Sequence, residues 1–220
     1  IIIFIIIFIN NMTDKKNKKM TRWKKILIYV FAILLAMFII LIIARGFYLY
    51  KLEKTNEQVE KIHNTKLSFK DVIGENLPPD PGVDADKTIA GIDSNKNGIR
   101  DDVELAIFKE YPDSAKTRAA LLQYALALQM EFTQPIVNKE IVTTIIEDNE
   151  SRALKCIWSI SLRDDMDKFT KETEQNENFV KQRQINTEDR KKYINDFYKY
   201  VDSYTISRGS CDLELNFLYN

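Results

Sequence analysis

Histidine is almost missing from this chain, with one (His63) in 220 residues. It sits in a polar stretch far from any acidic cluster. That excludes the common zinc sites and Ser-His-Asp catalysis, and His63 reads as a solvated side chain. Glycine is scarce too, at six residues, and no glycine-rich loop that could cradle a phosphate is present. Net charge is zero, from 32 basic and 32 acidic residues. No run alternates apolar and polar residues long enough to form a useful strand, and no internal repeat occurs. What remains is a chain with helical periodicity almost throughout.

Its longest hydrophobic run is Ile26 to Ala44, 19 apolar residues without a charge. At about 1.5 Å per residue, such a helix covers roughly 28 Å, close to the hydrocarbon thickness of a bilayer. A core helix of a soluble protein would show a polar face, and this run has none. Lys15, Lys16, Lys18, Lys19, Arg22, Lys24 and Lys25 precede it, opposed only by Asp14. Positive flanks stay in the cytoplasm, so residues 1–25 form a cytoplasmic basic tail and the C-terminal part is exported. The expected location is a bacterial inner (cell) membrane, crossed once. The run exceeds the usual apolar core of a signal peptide, which favours an uncleaved anchor over cleavage near Ala44. Nine apolar residues open the chain, too few to span a bilayer as a helix. The expectation is that residues 1–11 are not native and that the start is Met12 or Met20; the alternative is a second hydrophobic element.

Residues 1–25 carry +6, so the rest carries −6. A mildly acidic exported part suits a cation site and gives no sign of nucleic-acid binding. The cation site is expected at Asp93–Glu104. Oxygen-bearing side chains stand at loop positions 1 (Asp93), 3 (Asn95), 5 (Asn97), 9 (Asp101) and 12 (Glu104), with Gly98 at position 6. Ca²⁺ takes six to eight oxygens, and this spacing lets one short loop wrap the ion. Ile99, at position 7, would offer its backbone carbonyl, and Glu104 would close the site with both carboxylate oxygens. A rival reading needs no ion. Asn97-Gly98 is an ordinary turn signal, and Asp101 with Glu104 three residues on is a capping box. Those two devices leave Asp93 and Asn95 unexplained.

The loop resembles EF-hand-type loops, and more closely the acidic loops of thrombospondin type 3 repeats and of bacterial exported proteins. Ile99 at position 7, Arg100 at position 8 and the single copy set it apart from paired EF-hands. The resemblance covers about 14 residues of the 220 and implies Ca²⁺ as the cofactor. With asparagine at positions 3 and 5, binding should fall in the extracellular range, on the order of 10⁻⁴ to 10⁻³ M.

Around the loop, residues 45–92 read as a stalk and linker. Leu49, Leu52, Val59 and Ile62 mark a faint helical stripe, followed by the breaker Leu77-Pro78-Pro79-Asp80-Pro81-Gly82. Residues 93–220 read as an all-α extracytoplasmic domain opened by the calcium loop. One helix follows the loop. A second, capped by Asp113 or Ser114, runs to about Phe132 and is apolar nearly all round. A third pattern spans Ile136 to Leu162, divided near Glu147–Glu150. A charged surface segment covers 163–186, and a last helix starts near Thr187 and includes Tyr204. Arg208-Gly209-Ser210 then turns toward Cys211. Asp164, Asp165 and Asp167 read as a solvated face rather than catalytic carboxylates. Cys156 and Cys211 are expected to form a disulfide in an oxidising compartment, the alternative being two buried thiols.

These features point to a membrane-anchored structural or interaction module with calcium as a structural clip and an envelope protein as the expected partner. Alternatives are an envelope hydrolase with a structural calcium, or a calcium-responsive sensor. No catalytic constellation is visible.

Overall fold

A computed structural model describes residues 21–201, 203, 209 and 211–219, with the side chain of Asp148 left out. The opening apolar run, most of the basic tail, Tyr204, Arg208 and Ser210 therefore lie outside the described residues. Among those described, the protein is all-helical with no strand. The chain divides into two compact units, Ile1–Lys54 and Thr55–Asn220.

Helix α1, Arg22–Asn64, runs unbroken for 43 residues, roughly 65 Å at the standard rise. It contains one segment long and apolar enough to cross a membrane. In the first unit the large apolar side chains of that segment, such as Ile33, Leu34, Phe38 and Leu41, are exposed.

The second unit begins inside α1. Thr55 and Ile62 are buried, and Asn138 donates to the Thr55 hydroxyl at 2.8 Å. The segment expected as stalk and linker is thus folded into this unit from Thr55 onward. Helix α2, Phe69–Ile73, starts with a capping box in which Ser68 and Asp71 satisfy each other's backbone N–H groups. Gly74 ends it in the left-handed region at φ 79°. After the prolines comes a 3-10 turn, Gly82–Asp86. Leu67, Val72 and Ala85 from this stretch are buried.

Buried arginines bind the chain on either side of the proline stretch. Arg190 is fully buried and donates to the carbonyls of Ala85 (2.8 Å), Thr88 (3.0 Å) and Ile89 (2.9 Å) and to the Asp86 carboxylate (2.5 Å). Arg118 reaches the carbonyls of Val72, Tyr111 and Pro112 and lies over the Phe108 ring. A loop without a ladder of its own needs such partners, because buried carbonyls left unpaired are costly.

Helix α3 is Asp101–Glu110 and α4 is Ala115–Thr133. Ser114 caps α4 by accepting the Thr117 N–H. Every residue from Arg118 to Phe132 is buried, so α4 is the axis of the core, as its all-round apolar sequence predicts. Helices α5, Lys139–Thr144, and α6, Ser151–Ile160, are joined by a π-helical turn, Ile145–Glu150. The expected division near Glu147–Glu150 is this π turn rather than a break. Helix α7, Met166–Gln184, is exposed along much of its length, with Thr173, Val180 and Gln184 buried. Asp165 caps it by accepting the N–H groups of Asp167 and Lys168. The last helix, α8, is Glu188–Tyr198, capped by Thr187 as its sequence predicts. Helix α4 packs against α2, α3, α6, α7, α8 and the π turn.

The chain end returns to this core. Cys156 on α6 and Cys211 are at disulfide distance, with Cα atoms 4.7 Å apart. Asp212, whose side chain is fully buried, accepts from the Leu67 N–H at 2.9 Å and from the Arg152 guanidinium.

Candidate metal centre

Residues 93–104 form a tight loop running into the first turn of α3. Its curvature comes from two left-handed residues, Lys96 at φ 59° and Gly98 at φ 84°. Gly98 is required twice over: a Cβ there would also meet Leu126 Cδ1 of α4 at 2.7 Å. Ile99 is fully buried, which fixes the backbone at position 7.

The side chains at positions 1, 3 and 5 organise the loop backbone. Asp93 accepts the N–H groups of Asn97 (3.1 Å) and Gly98 (2.9 Å). Asn95 Oδ1 accepts the Asn97 N–H, and Asn97 Oδ1 accepts the Ile99 N–H at 2.9 Å. Both amide nitrogens then converge on Glu104. Asn95 Nδ2 donates to Oε2 and Asn97 Nδ2 to Oε1, each at 3.1 Å. Asn95 Nδ2 also reaches the carbonyl of Asn76 at 2.8 Å, which ties the loop to the stretch after α2.

Glu104 is therefore a buried carboxylate, 1% exposed, facing the side chains of positions 3 and 5. Burial pushes its carboxyl up to about 7; the two amides oppose the shift, and the negative charges of Asp71 and Asp101 add to it. Burial also raises Asp93, against the hydrogen bonds from Gly98 and Asn97. A cation at this point would supply the charge that the two amide groups replace only in part. Turning either amide end for end would bring its oxygen to face the carboxylate.

Not every expected ligand joins this group. Asp101 is turned back to Ser94, accepting its N–H at 2.9 Å and its hydroxyl at 2.6 Å. The Asp101–Glu104 capping box of the rival reading is not formed, since the residue before α3, Arg100, makes no side-chain cap. Asn95, Asn97 and Glu104 come together, Asp93 acts through the loop backbone, and Asp101 faces Ser94. Among the described residues no three His, Cys, Asp or Glu side chains are gathered into a metal cluster. His63 is exposed, and Asp164, Asp165 and Asp167 are exposed beside α7.

Sequence reasoning missed Arg100. It is fully buried and pairs with Asp102 through Nε (2.5 Å) and Nη2 (2.7 Å). It also donates to the carbonyls of Arg183 (2.6 Å) and Gln184 (3.2 Å) at the end of α7. A cation at a helix C-terminus meets the negative end of its dipole. Position 8 of the loop is thus fixed to α7. Its occupancy by arginine rather than an aliphatic residue was the visible signal.

Gly91 makes room for this contact. Its φ is 70°, and a Cβ there would lie 2.3 Å from Arg100 Cδ. Gly91→Ala is expected to destabilise the protein by about 2–4 kcal/mol, from overpacking and a left-handed alanine together. Urea unfolding of the variant measures this; an unchanged midpoint would contradict the packing.

The chain matches no protein-family model, no curated protein and no solved structure.

Proposed function

We propose that this protein is a single-pass membrane protein whose extracytoplasmic helical domain binds one Ca²⁺ in the loop Asp93–Glu104, as a structural clip in an interaction module. The observation that carries the reading is the buried carboxylate of Glu104 at position 12, facing the side chains of positions 3 and 5. Glu104, Asn95, Asn97 and Asp93 would supply oxygens, with the Ile99 carbonyl. Asp101 would join directly or through water.

The basic residues before Ile26 support the orientation, with the domain outside a bacterial cytoplasmic membrane, where calcium is plentiful. The proline stretch acts less as a free linker than as a strap, and the loop clips it through the Asn95–Asn76 contact. At about 1 mM Ca²⁺ and a dissociation constant near 0.1 mM, occupancy would stabilise the fold by about 1.4 kcal/mol. That size suits a clip better than a switch. The expected partner is another envelope protein.

Calorimetric titration of the full chain in detergent micelles with Ca²⁺ tests the site. One binding event is expected, lost in Asp93→Ala and in Glu104→Gln. Absence of any binding heat, together with an unchanged melting temperature on adding Ca²⁺, would overturn it.

A further inference from the structure

A second acidic site lies in the core, away from the loop. Glu131 on α4 is fully buried, and Tyr198 of α8 places its hydroxyl 3.2 Å from Glu131 Oε1 and 3.1 Å from Glu150 Oε2. Glu150 is the last residue of the π turn. A phenol has one proton and can donate to only one carboxylate at a time. With both glutamates ionised, the second contact would set the phenol oxygen's lone pairs against a carboxylate oxygen with no proton between them. Both contacts are hydrogen bonds only if one glutamate is itself protonated and donates to the phenol oxygen.

The surroundings offer one nearby cation, Lys181 of α7, which favours the ionised form of both glutamates but does not outweigh their burial. Glu131 Oε2 and the hydroxyl of Tyr124 are both buried without a hydrogen-bond partner among the described residues. Lys181 is shared with Glu177 at 3.6 Å, and Glu177 adds negative charge near the pair. Tyr193 of α8 packs on Phe132 and offers no cation. Arg152 of α6 is engaged by Asn149 and Asp212. Burial accordingly holds Glu131 well above the usual carboxylate range and raises Glu150 as well.

We propose that Glu131, Tyr198 and Glu150 form a proton-binding site in which a single proton is shared across the two carboxyls, so that proton release weakens the hold of α8 on α4 and the π turn. The ligand is H⁺ alone. Binding it takes the pair from two negative charges to one and completes the chain from carboxyl to phenol to carboxylate. Releasing it to solvent leaves one buried anion, one half-buried anion and one phenol proton. The site stands apart from the calcium loop and does not depend on it.

The sign of the pH dependence follows. A glutamate raised in the folded state gives stability that is fully present below its unfolded value, about 4.3. That stability is lost as pH rises through the folded value. Urea unfolding of the full chain in micelles, from pH 5 to pH 9, compares the natural protein with Glu131→Gln and Glu150→Gln. Glutamine keeps the shape of the neutral acid. The natural protein is expected to lose midpoint concentration as pH rises. Glu131→Gln is expected to lose less and to overtake it at high pH. The comparison removes the contribution of Glu104, which is common to both proteins.

Carbon-13 NMR of the glutamate carboxyls in the natural protein gives a second readout that needs no variant. Glu131 should remain protonated when exposed glutamates have titrated. Parallel pH profiles for the natural protein and both variants would overturn the proposal. So would a Glu131 carboxyl that ionises with the exposed glutamates.

Discussion

Replacing both Cys156 and Cys211 with alanine is expected to lower stability by about 4 kcal/mol. The disulfide closes a loop with a sequence separation of 55, and the chain-entropy model assigns about that amount to a loop of this size. The bond also secures the C-terminal stretch. Asp212, which follows Cys211, takes hydrogen bonds from Leu67 and Arg152, and Leu213, Leu215 and Leu218 pack against the core. Reductant on the natural protein should reproduce the drop in urea midpoint and leave the double variant unaffected. An equal response of both proteins to reductant would show that the effect comes from elsewhere.

Removing the Arg190 side chain is expected to have a comparable effect. Arg190→Ala would strand the carbonyls of Ala85, Thr88 and Ile89 and leave Asp86 without its guanidinium partner. Leaving a buried acceptor unpaired costs about 1–3 kcal/mol, and the stranded carbonyls, rather than the half-exposed Asp86, account for most of the loss. Asp86 is held below the usual carboxylate range chiefly by its hydrogen bond from Arg190, so its contribution is present near neutral pH and fades under acid. Arg190→Lys should recover only part of the loss, since one ammonium cannot serve the three carbonyls, the Asp86 carboxylate and the Asn186 side-chain oxygen together. Hydrogen exchange over residues 82–91 should rise in the alanine variant far more than exchange in α4. Uniform change across both would contradict the strap.

The sequence made some of this architecture visible and hid the rest, for physical reasons. The central helix was legible because Leu121, Leu122, Ala125, Leu126 and Leu128 leave no polar face, and only a core axis buries a helix all round. Thr187 and Ser114 were legible as caps because the signal is local. The run of aspartates at 164–167 was read as a solvated face, and Asp165 in it also caps α7. The proline stretch was read as a linker because its anchors are distant. Arg118 and Arg190 bond to its two flanks, at Val72 and Ile89, from about 46 and 100 positions away, and no periodicity reports a hydrogen bond to a carbonyl.

The candidate calcium loop divides in the same way. Asp93, Asn95, Asn97 and Glu104 share one neighbourhood through hydrogen bonds within a twelve-residue turn. Asp101 departs because Ser94, seven residues earlier, captures its carboxylate. Arg100 fits neither the metal site nor a simple turn, and its role emerged only with α7 in place. Glu131 carries no local signal in the apolar helix around it, and only the fold brings Tyr198 to it.

The most direct test of the calcium clip is a crossover between the natural protein and Glu104→Gln, read as urea midpoints at pH 8 in chelator and in 1 mM Ca²⁺. Without calcium, the buried charge of Glu104 is a burden of up to roughly 3 kcal/mol, fully relieved below the ordinary glutamate range and growing as pH rises through about 7. The glutamine variant should therefore be the more stable protein in chelator. Calcium should raise the natural protein by about 1.4 kcal/mol and leave the variant where it was. A variant that gains as much from calcium as the natural protein, or two proteins that ignore calcium alike, would contradict the account.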